Sequence, residues 1–244
     1  MDAQPNIAIV TGAGKRVGRA IAASLAEAGW TVIAHVHGAD DEAPEGAVRV
    51  VADLGSEDCA ARIFDAASAV GPVKLLVNNA ARFAADGFGE ASAAEFDAHM
   101  AINARAPMLL IDEMGRRHDG GDALVVNITD AKLAAPNPDY LSYTLSKYAL
   151  DGLTRLAARA LAPRGIRVMA IAPAQMLPSG EQSESDFRAT HALNPLRRGV
   201  EVADLVRAIL FLLDQPAMTG ETLLIDGGQQ QMALPRDVQF LEKE

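Results

Sequence analysis

Short apolar runs alternate with longer stretches whose apolar residues recur at three- and four-residue spacing along nearly the whole chain. The first run, Ile7-Ala8-Ile9-Val10, ends in Thr11-Gly12; from Arg16 to Ala28, Val17, Ile21, Leu25 and Ala28 then recur at helical spacing until Gly29. A strand, a tight turn and a helix are predicted in that order. The same reading gives strands over Thr31 to Val36 and Ala47 to Val51, a helix over Ser56 to Val70 and a strand over Val73 to Val77. A helix within Ala91 to Met114, a strand over Ala123 to Ile128, a helix over Leu141 to Ala162 and a strand over Ile166 to Ile171 follow. The last pair is a helix over Val202 to Leu213 and a strand over Thr222 to Ile225. About seven strands, mostly separated by helices, predict an α/β doubly wound Rossmann fold, a parallel sheet with helices on both faces.

No internal repeat and no Gly/Ser-rich linker divides the chain, so residues 1–244 are read as a single domain. The least regular stretch, Gln175 to Asn194, is expected to be a substrate loop, because so long a connection in a compact domain is usually a lid or a binding loop. The tail from Ala233 to Glu244 carries Phe240 and Leu241 among charges, which suits either disorder or docking on a neighbouring subunit. A chain that is 50% hydrophobic and 22% charged has the balance of a packed protein. Lys and Arg (22) against Asp and Glu (32) leave a net charge of −10, which argues against a nucleic-acid partner. No apolar run approaches the ~20 residues of a membrane span. The single Cys59 offers no internal disulfide and no cysteine-rich zinc site, and no metal is expected. The start, Met1 to Pro5, lacks the basic and apolar regions of a signal peptide, so a cytoplasmic protein is expected.

Thr11-Gly12-Ala13-Gly14-Lys15-Arg16-Val17-Gly18 falls where the first strand becomes the first helix. Glycines there let backbone approach a pyrophosphate held on a helix N-terminus. An acidic residue about 20 positions on would select NAD through the ribose hydroxyls, whereas basic residues admit a 2′-phosphate. The second strand ends His35-Val36-His37-Gly38-Ala39 without a carboxylate, and Lys15 and Arg16 add positive charge, so NADP(H) is the expected cofactor. His35 and His37 have two readings, adenosine contacts or two strand-end side chains that point the same way.

Tyr143 and Lys147 lie at i and i+4 of a predicted helix and therefore share a face. A lysine ammonium near a phenol favours the phenolate, so Lys147 is expected to lower the Tyr143 pKa and to hold the nicotinamide ribose.

These motifs, in this order, resemble the short-chain dehydrogenase/reductase superfamily, whose glycine turn is T-G-x-x-x-G-x-G; here Arg16 stands at the middle glycine. The resemblance covers nearly the whole chain. It implies that Asp53-Leu54 contacts the adenine, that Asn78-Asn79-Ala80-Ala81 matches the family's N-N-A-G, and that Asn103 anchors a water of the proton relay. Pro173 matches the first half of the P-G turn at the nicotinamide, with Ala174 replacing glycine, and Asp226-Gly227-Gly228 matches the D-G-G after the last strand. The family also commonly forms tetramers through helices like Ala91 to Met114 and Leu141 to Ala162, so a homotetramer is expected.

The superfamily's active-site serine lies thirteen residues before the tyrosine, and that position is Asp130. A serine donates to a carbonyl oxygen, whereas an aspartate donates only when protonated. Within the superfamily, pteridine and dihydromonapterin reductases are similar at Arg16, at Asp130 and at Phe83, four residues after Asn79. In them the aromatic covers the pterin and the aspartate, with the tyrosine, protonates a ring nitrogen. The resemblance thus places Arg16, Phe83, Asp130 and Tyr143 at the substrate. Departures are Gly38, where an arginine is usual, and Ala81, where a serine is usual; Arg82 offers a different polar contact. The first expectation is NADPH-dependent reduction of a dihydropterin to a tetrahydropterin, and of an oxidised pterin to the dihydro level. The alternatives are an ordinary carbonyl reductase, such as one for a 3-oxoacyl thioester, with Thr129 supplying the hydroxyl or Asp130 as drift, and a nucleotide-binding regulator without turnover.

Overall fold

The computed structural model describes residues 6–178 and 182–241. Met1 to Pro5, residues 179–181 of the expected substrate loop and the last three residues of the tail lie outside the described residues. Seven strands form one sheet: β1 (Ile7–Val10), β2 (Thr31–Val36), β3 (Val48–Val51), β4 (Val73–Asn78), β5 (Ala123–Ile128), β6 (Ile166–Pro173) and β7 (Thr222–Ile225). Their order is β3-β2-β1-β4-β5-β6-β7 and every pairing is parallel. The chain reverses direction across the sheet between β1 and β4, and in such sheets ligands bind in the crevice outside the carboxyl ends of the strands at that switch point.

Apolar helix faces cover both sides, as continuous apolar strands require. On one side α2 (Cys59–Ser68), α4 (Ala106–Arg117) and α5 (Leu141–Leu161) bury Ile63, Phe64, Leu110, Met114 and Ala158 against Ile9, Leu76 and Val125. On the other, α1 (Arg16–Glu27) and α7 (Val202–Leu213) bury Ile21, Leu25, Leu205 and Ile209 against Val10, Val77 and Val126.

Two departures from the expected elements matter for the site. The helix expected within Ala91 to Met114 is three consecutive pieces: α3 (Ala93–Met100), a π-helical turn over Ala101–Arg105, and α4. Ser92 starts α3 by accepting from the Glu95 N–H at 3.2 Å, and the π-turn carries the buried Asn103. The stretch Gln175 to Asn194 is not wholly irregular, because α6 (Glu184–His191) forms within it, its N-cap Ser183 accepting from the Asp186 N–H at 3.1 Å. No helix among the described residues is long and apolar enough to cross a membrane.

Candidate active site

The glycine turn is held by groups on three strands. The Thr11 hydroxyl donates to the Val77 carbonyl at 3.3 Å and accepts from the Asn79 and Ala80 N–H groups, both at 3.0 Å. The Asn79 side chain donates to the Thr11 carbonyl at 2.9 Å. Gly12 takes a positive φ of 66°, and its N–H donates to His35 Nδ1 at 3.1 Å. His35 Nε2 then donates to the Ala52 carbonyl at 3.0 Å, which fixes the tautomer. Burial pushes the imidazole pKa below its usual value, so the ring stays neutral. His35 is therefore a strut that shapes the turn, because both ring nitrogens are engaged within the protein, and of its two readings the adenosine contact through a ring nitrogen is the one the structure does not support. His37 is exposed, so the two histidines do not share an environment.

Gly18 is required by proximity. A Cβ there would stand 2.1 Å from the Gly12 carbonyl oxygen and 2.6 Å from Asn79 Nδ2. The start of α1 has no side-chain cap and no acidic residue in its first turn, leaving its N–H groups for an anion. Lys15 is exposed at this end. Arg16 turns away from the expected 2′-phosphate role: its Nη2 donates to the Pro178 carbonyl at 2.6 Å, tying the glycine turn to the loop after β6. Its φ of 51° is a left-handed conformation that suits the glycine usual at this place and costs an arginine ~1 kcal/mol or more. Leu54 is buried in the core, while Asp53 is exposed beside it.

Beyond the strand ends lies a cavity of about 430 Å³ that gathers Arg16, Val17, Asn79, Phe83, Asp130, Tyr143, Lys147 and Pro173. The Tyr143 hydroxyl donates to Asp130 Oδ2 at 2.7 Å, and the Lys132 N–H donates to Asp130 Oδ1 at 2.8 Å. Burial pushes the Asp130 carboxyl above the ordinary carboxylate range, against the pull of these donors and of the Lys147 ammonium. Burial, and then the Asp130 charge, push the Tyr143 phenol well above its usual value. Burial pulls Lys147 down to about 8. The expectation that Lys147 lowers the Tyr143 pKa is thus reversed. Its ammonium donates to the Ile128 carbonyl at 2.6 Å and stands 5.6 Å from the Tyr143 ring centroid, while a carboxyl group touches the hydroxyl itself.

Asn103 does not enter the cavity. Its side chain accepts from the Arg82 N–H at 2.7 Å and donates to the Arg82 carbonyl and the Ser146 hydroxyl, both at 2.9 Å, so it positions the segment before Phe83 and the helix that carries Tyr143. The Arg82 guanidinium pairs with Glu95 at 2.8 Å and does not supply the substrate contact expected of it. Thr129 lines the same cavity, but its buried hydroxyl donates to the Ile171 carbonyl at 3.2 Å, which counts against the reading in which it replaces the missing serine. Phe83 is 41% exposed, stacked on Tyr140 at 4.4 Å and edge-on to Tyr143 at 4.7 Å.

Residues 12–230 match the family described as enoyl-(acyl carrier protein) reductase. The chain belongs to the short-chain dehydrogenase/reductase superfamily. As such it is an oxidoreductase, and Arg16, Ala81, Asp130 and Ala174 depart from the superfamily's common pattern. Human L-xylulose reductase is 37% identical over 234 residues, 90% of this chain and 94% of that protein. A 3-oxoacyl-[acyl-carrier-protein] reductase of Staphylococcus epidermidis is 32% identical over 241 residues, 91% of this chain and 97% of its own length. Among solved structures, FolM alternative dihydrofolate reductase 1 from Brucella canis, complexed with NADP, superposes with a TM-score of 0.86 at 37% identity, covering 93% of this chain and 95% of that one. The Brucella suis protein, also in complex with NADP, gives 0.85 at 36% identity, covering 95% and 97%.

Sequence reasoning did not single out Lys132, Tyr140, Gln229, Gln230, Leu234 or the run Arg236 to Gln239, all of which line the short-chain reductase's cavity. Tyr140 carried a signal, because it lies three residues before Tyr143 at a helix start and so sits over the same face.

Proposed function

We propose that this protein is an NADPH-dependent reductase of a pterin ring, converting a dihydropterin to a tetrahydropterin. The observation that carries the reading is the 2.7 Å hydrogen bond from Tyr143 to a buried carboxyl group at Asp130, where a carbonyl reductase needs a neutral hydroxyl. A protonated carboxyl coupled to a phenol suits a ring nitrogen that must gain a proton. The likeness to the NADP-complexed Brucella FolM structures supports both the cofactor and the substrate class.

The residues present fit the cofactor. The backbone from Gly12 through Val17 to Gly18, with the uncapped start of α1, holds the pyrophosphate, and Lys15 serves the 2′-phosphate. Asp53 with the Leu54 backbone serves the adenine, Asn79 and Ala80 line the ribose side, Tyr143 and Lys147 hold the nicotinamide ribose, and Pro173 backs the ring. Gln175 Oε1, buried without a hydrogen-bond partner two residues past Pro173, is an acceptor matched to a ligand N–H. When bound, NADPH supplies the hydride. Asp130 and Tyr143 hold the proton for the substrate nitrogen, Lys147 keeps a positive charge beside them, and Arg16 and Phe83 bound the substrate's side of the cavity.

Asp41, a carboxylate a few residues past the end of β2, is engaged by the Gly38 N–H at 2.8 Å. NADPH is therefore expected to bind at least about tenfold tighter than NADH, a difference of ~1.4 kcal/mol. Fluorescence titration checks this, and equal affinities would remove the cofactor assignment. Phe83→Ala tests the substrate class. Loss of a stacking surface worth roughly 1–3 kcal/mol should raise KM for a dihydropterin by about tenfold or more with the NADPH dissociation constant unchanged. An unchanged KM would show that Phe83 serves packing only.

A second reading, a carbonyl reductase, is favoured by the names of the sequence relatives, and on it Asp130 has no catalytic task. On either reading we propose a cytoplasmic homotetramer. Phe96, Met108, Leu145, Tyr148 and Leu156, on α3, α4 and α5, are exposed large side chains suited to burial between subunits. A monomer by light scattering would contradict that assembly.

A further inference from the structure

The tail, expected either to be disordered or to dock on a neighbour, packs over its described residues 233–241 against its own cavity. Leu234, Arg236, Asp237, Val238 and Gln239 line the same space as Asp130 and Tyr143. The segment is pinned on both sides of the residue pair Asp139-Tyr140. Arg236 Nε donates to both Asp139 oxygens at 3.0 and 2.9 Å, its Nη2 stands 2.8 Å from Oδ1, and the Asp237 N–H donates to Oδ2 at 2.8 Å. These contacts, the Arg236 guanidinium first, hold the Asp139 carboxyl below the usual range. The Tyr140 hydroxyl donates to Gln239 Oε1 at 3.2 Å, and Phe240 stacks on Tyr140 at 5.6 Å, extending the aromatic row that begins at Phe83.

The strap places one carboxylate in the cavity with incomplete partners. Asp237 Oδ1 accepts from the Gln239 N–H at 3.2 Å. Its Oδ2 has Lys132 Nζ only at 3.5 Å, because that ammonium is held at 2.6 Å by the Asp139 carbonyl. The Asp237 side chain is 16% exposed. A carboxylate so far removed from water, with a long contact to its cation, gains strongly from further N–H donors. Two adjacent, parallel N–H donors on a planar ring match a carboxylate best. The 2-amino-4-oxopyrimidine half of a pterin presents such a pair, whereas simple ketones present none.

We propose that Asp237, carried into the cavity by the pinned segment 234–241, is a specificity-determining residue that accepts hydrogen bonds from the N–H groups of the substrate's pyrimidine ring. This deepens the pterin reading and rests on it. Asp237→Asn keeps the side chain's shape and removes the charged acceptor; Arg236→Ala releases the strap without touching Asp237. Calorimetric titration of the NADP⁺-loaded protein with 7,8-dihydrobiopterin, alongside steady-state NADPH oxidation, reads both. Asp237→Asn should raise the dihydrobiopterin dissociation constant and KM by about tenfold or more, with kcat changed far less and NADP⁺ affinity unchanged. Arg236→Ala should raise KM in the same sense and speed hydrogen exchange over 234–241. Dihydrobiopterin binding to Asp237→Asn within about twofold of wild type would overturn the proposal. A wild-type protein that binds no dihydropterin would instead overturn the functional reading and this inference with it, a failure told apart by the wild type alone.

Discussion

Asp130→Ser is expected to lower kcat for a dihydropterin by a factor on the order of 10²–10⁴, the range for a positioned acid, while NADPH affinity stays near its starting value. Serine preserves what Asp130 does structurally. The aspartate caps the 3₁₀ turn over Ala131–Ala134 by accepting from the Lys132 N–H, and serine is an equally good cap. What serine cannot supply is an ionisable proton donor bonded to Tyr143. The same substitution rebuilds the superfamily's ordinary serine, tyrosine and lysine set, so a carbonyl substrate should be reduced no worse than before. If pterin turnover survives the change, the carboxyl has no catalytic task and the carbonyl-reductase reading replaces the present one.

The pH dependence follows from the same pair. Burial raises the pKa of both Asp130 and Tyr143, so their protons are retained to higher pH than in a free carboxyl or phenol. Only the protonated acid donates. Wild-type kcat for a dihydropterin should therefore hold at low pH and fall as pH rises through an apparent pKa above the usual carboxylate range. That value belongs to the coupled pair and not to either residue, and the decline should vanish in Asp130→Ser.

Gly18→Ala carries the second large effect. The added Cβ would meet the Gly12 carbonyl oxygen at 2.1 Å and Asn79 Nδ2 at 2.6 Å, distances that no Cβ tolerates. Backbone lies on one side, so the helix start must move away from the turn, and the Asn79 bond to the Thr11 carbonyl is displaced with it. Overpacking of this kind costs about 1–3 kcal/mol, and here it falls on the surface that holds the pyrophosphate. The NADPH dissociation constant should rise by roughly ten- to a hundredfold, with a lowered melting temperature in the absence of cofactor. Unaltered NADPH binding would mean that the turn does not hold the dinucleotide.

The parts of the site fixed by local spacing were readable from the chain. Tyr143 and Lys147 share a helix face because they are one turn apart; Asp130 was picked out by the resemblance, which puts the superfamily's serine thirteen residues before that tyrosine, and the fold brings its carboxyl to the phenol. Features that depend on which distant atoms meet were not. The strut role of His35 needs the β2–β3 register, which brings the Ala52 carbonyl to one ring nitrogen while the turn brings the Gly12 N–H to the other. The direction of the Tyr143 shift depends on burial, invisible in an i, i+4 pattern. The strap depends on Arg236 finding Asp139, 97 residues earlier, and charged residues near a chain end give no local sign of such a partner. Arg16 was legible as an anomaly, but its direction was not, because only the folded loop places the Pro178 carbonyl within its reach.

NADPH oxidation measured side by side with 7,8-dihydrobiopterin, dihydromonapterin, dihydrofolate, L-xylulose and a 3-oxoacyl thioester tests the central claim most directly. At least one dihydropterin is expected to show a kcat/KM about tenfold or more above either carbonyl substrate, since a carboxyl group bonded to Tyr143 suits a ring nitrogen that gains a proton, whereas a carbonyl oxygen, which also gains one, is served by the serine and tyrosine hydroxyls of the superfamily's ordinary set. Turnover of L-xylulose or the thioester, with no oxidation above background for any pterin, would contradict it.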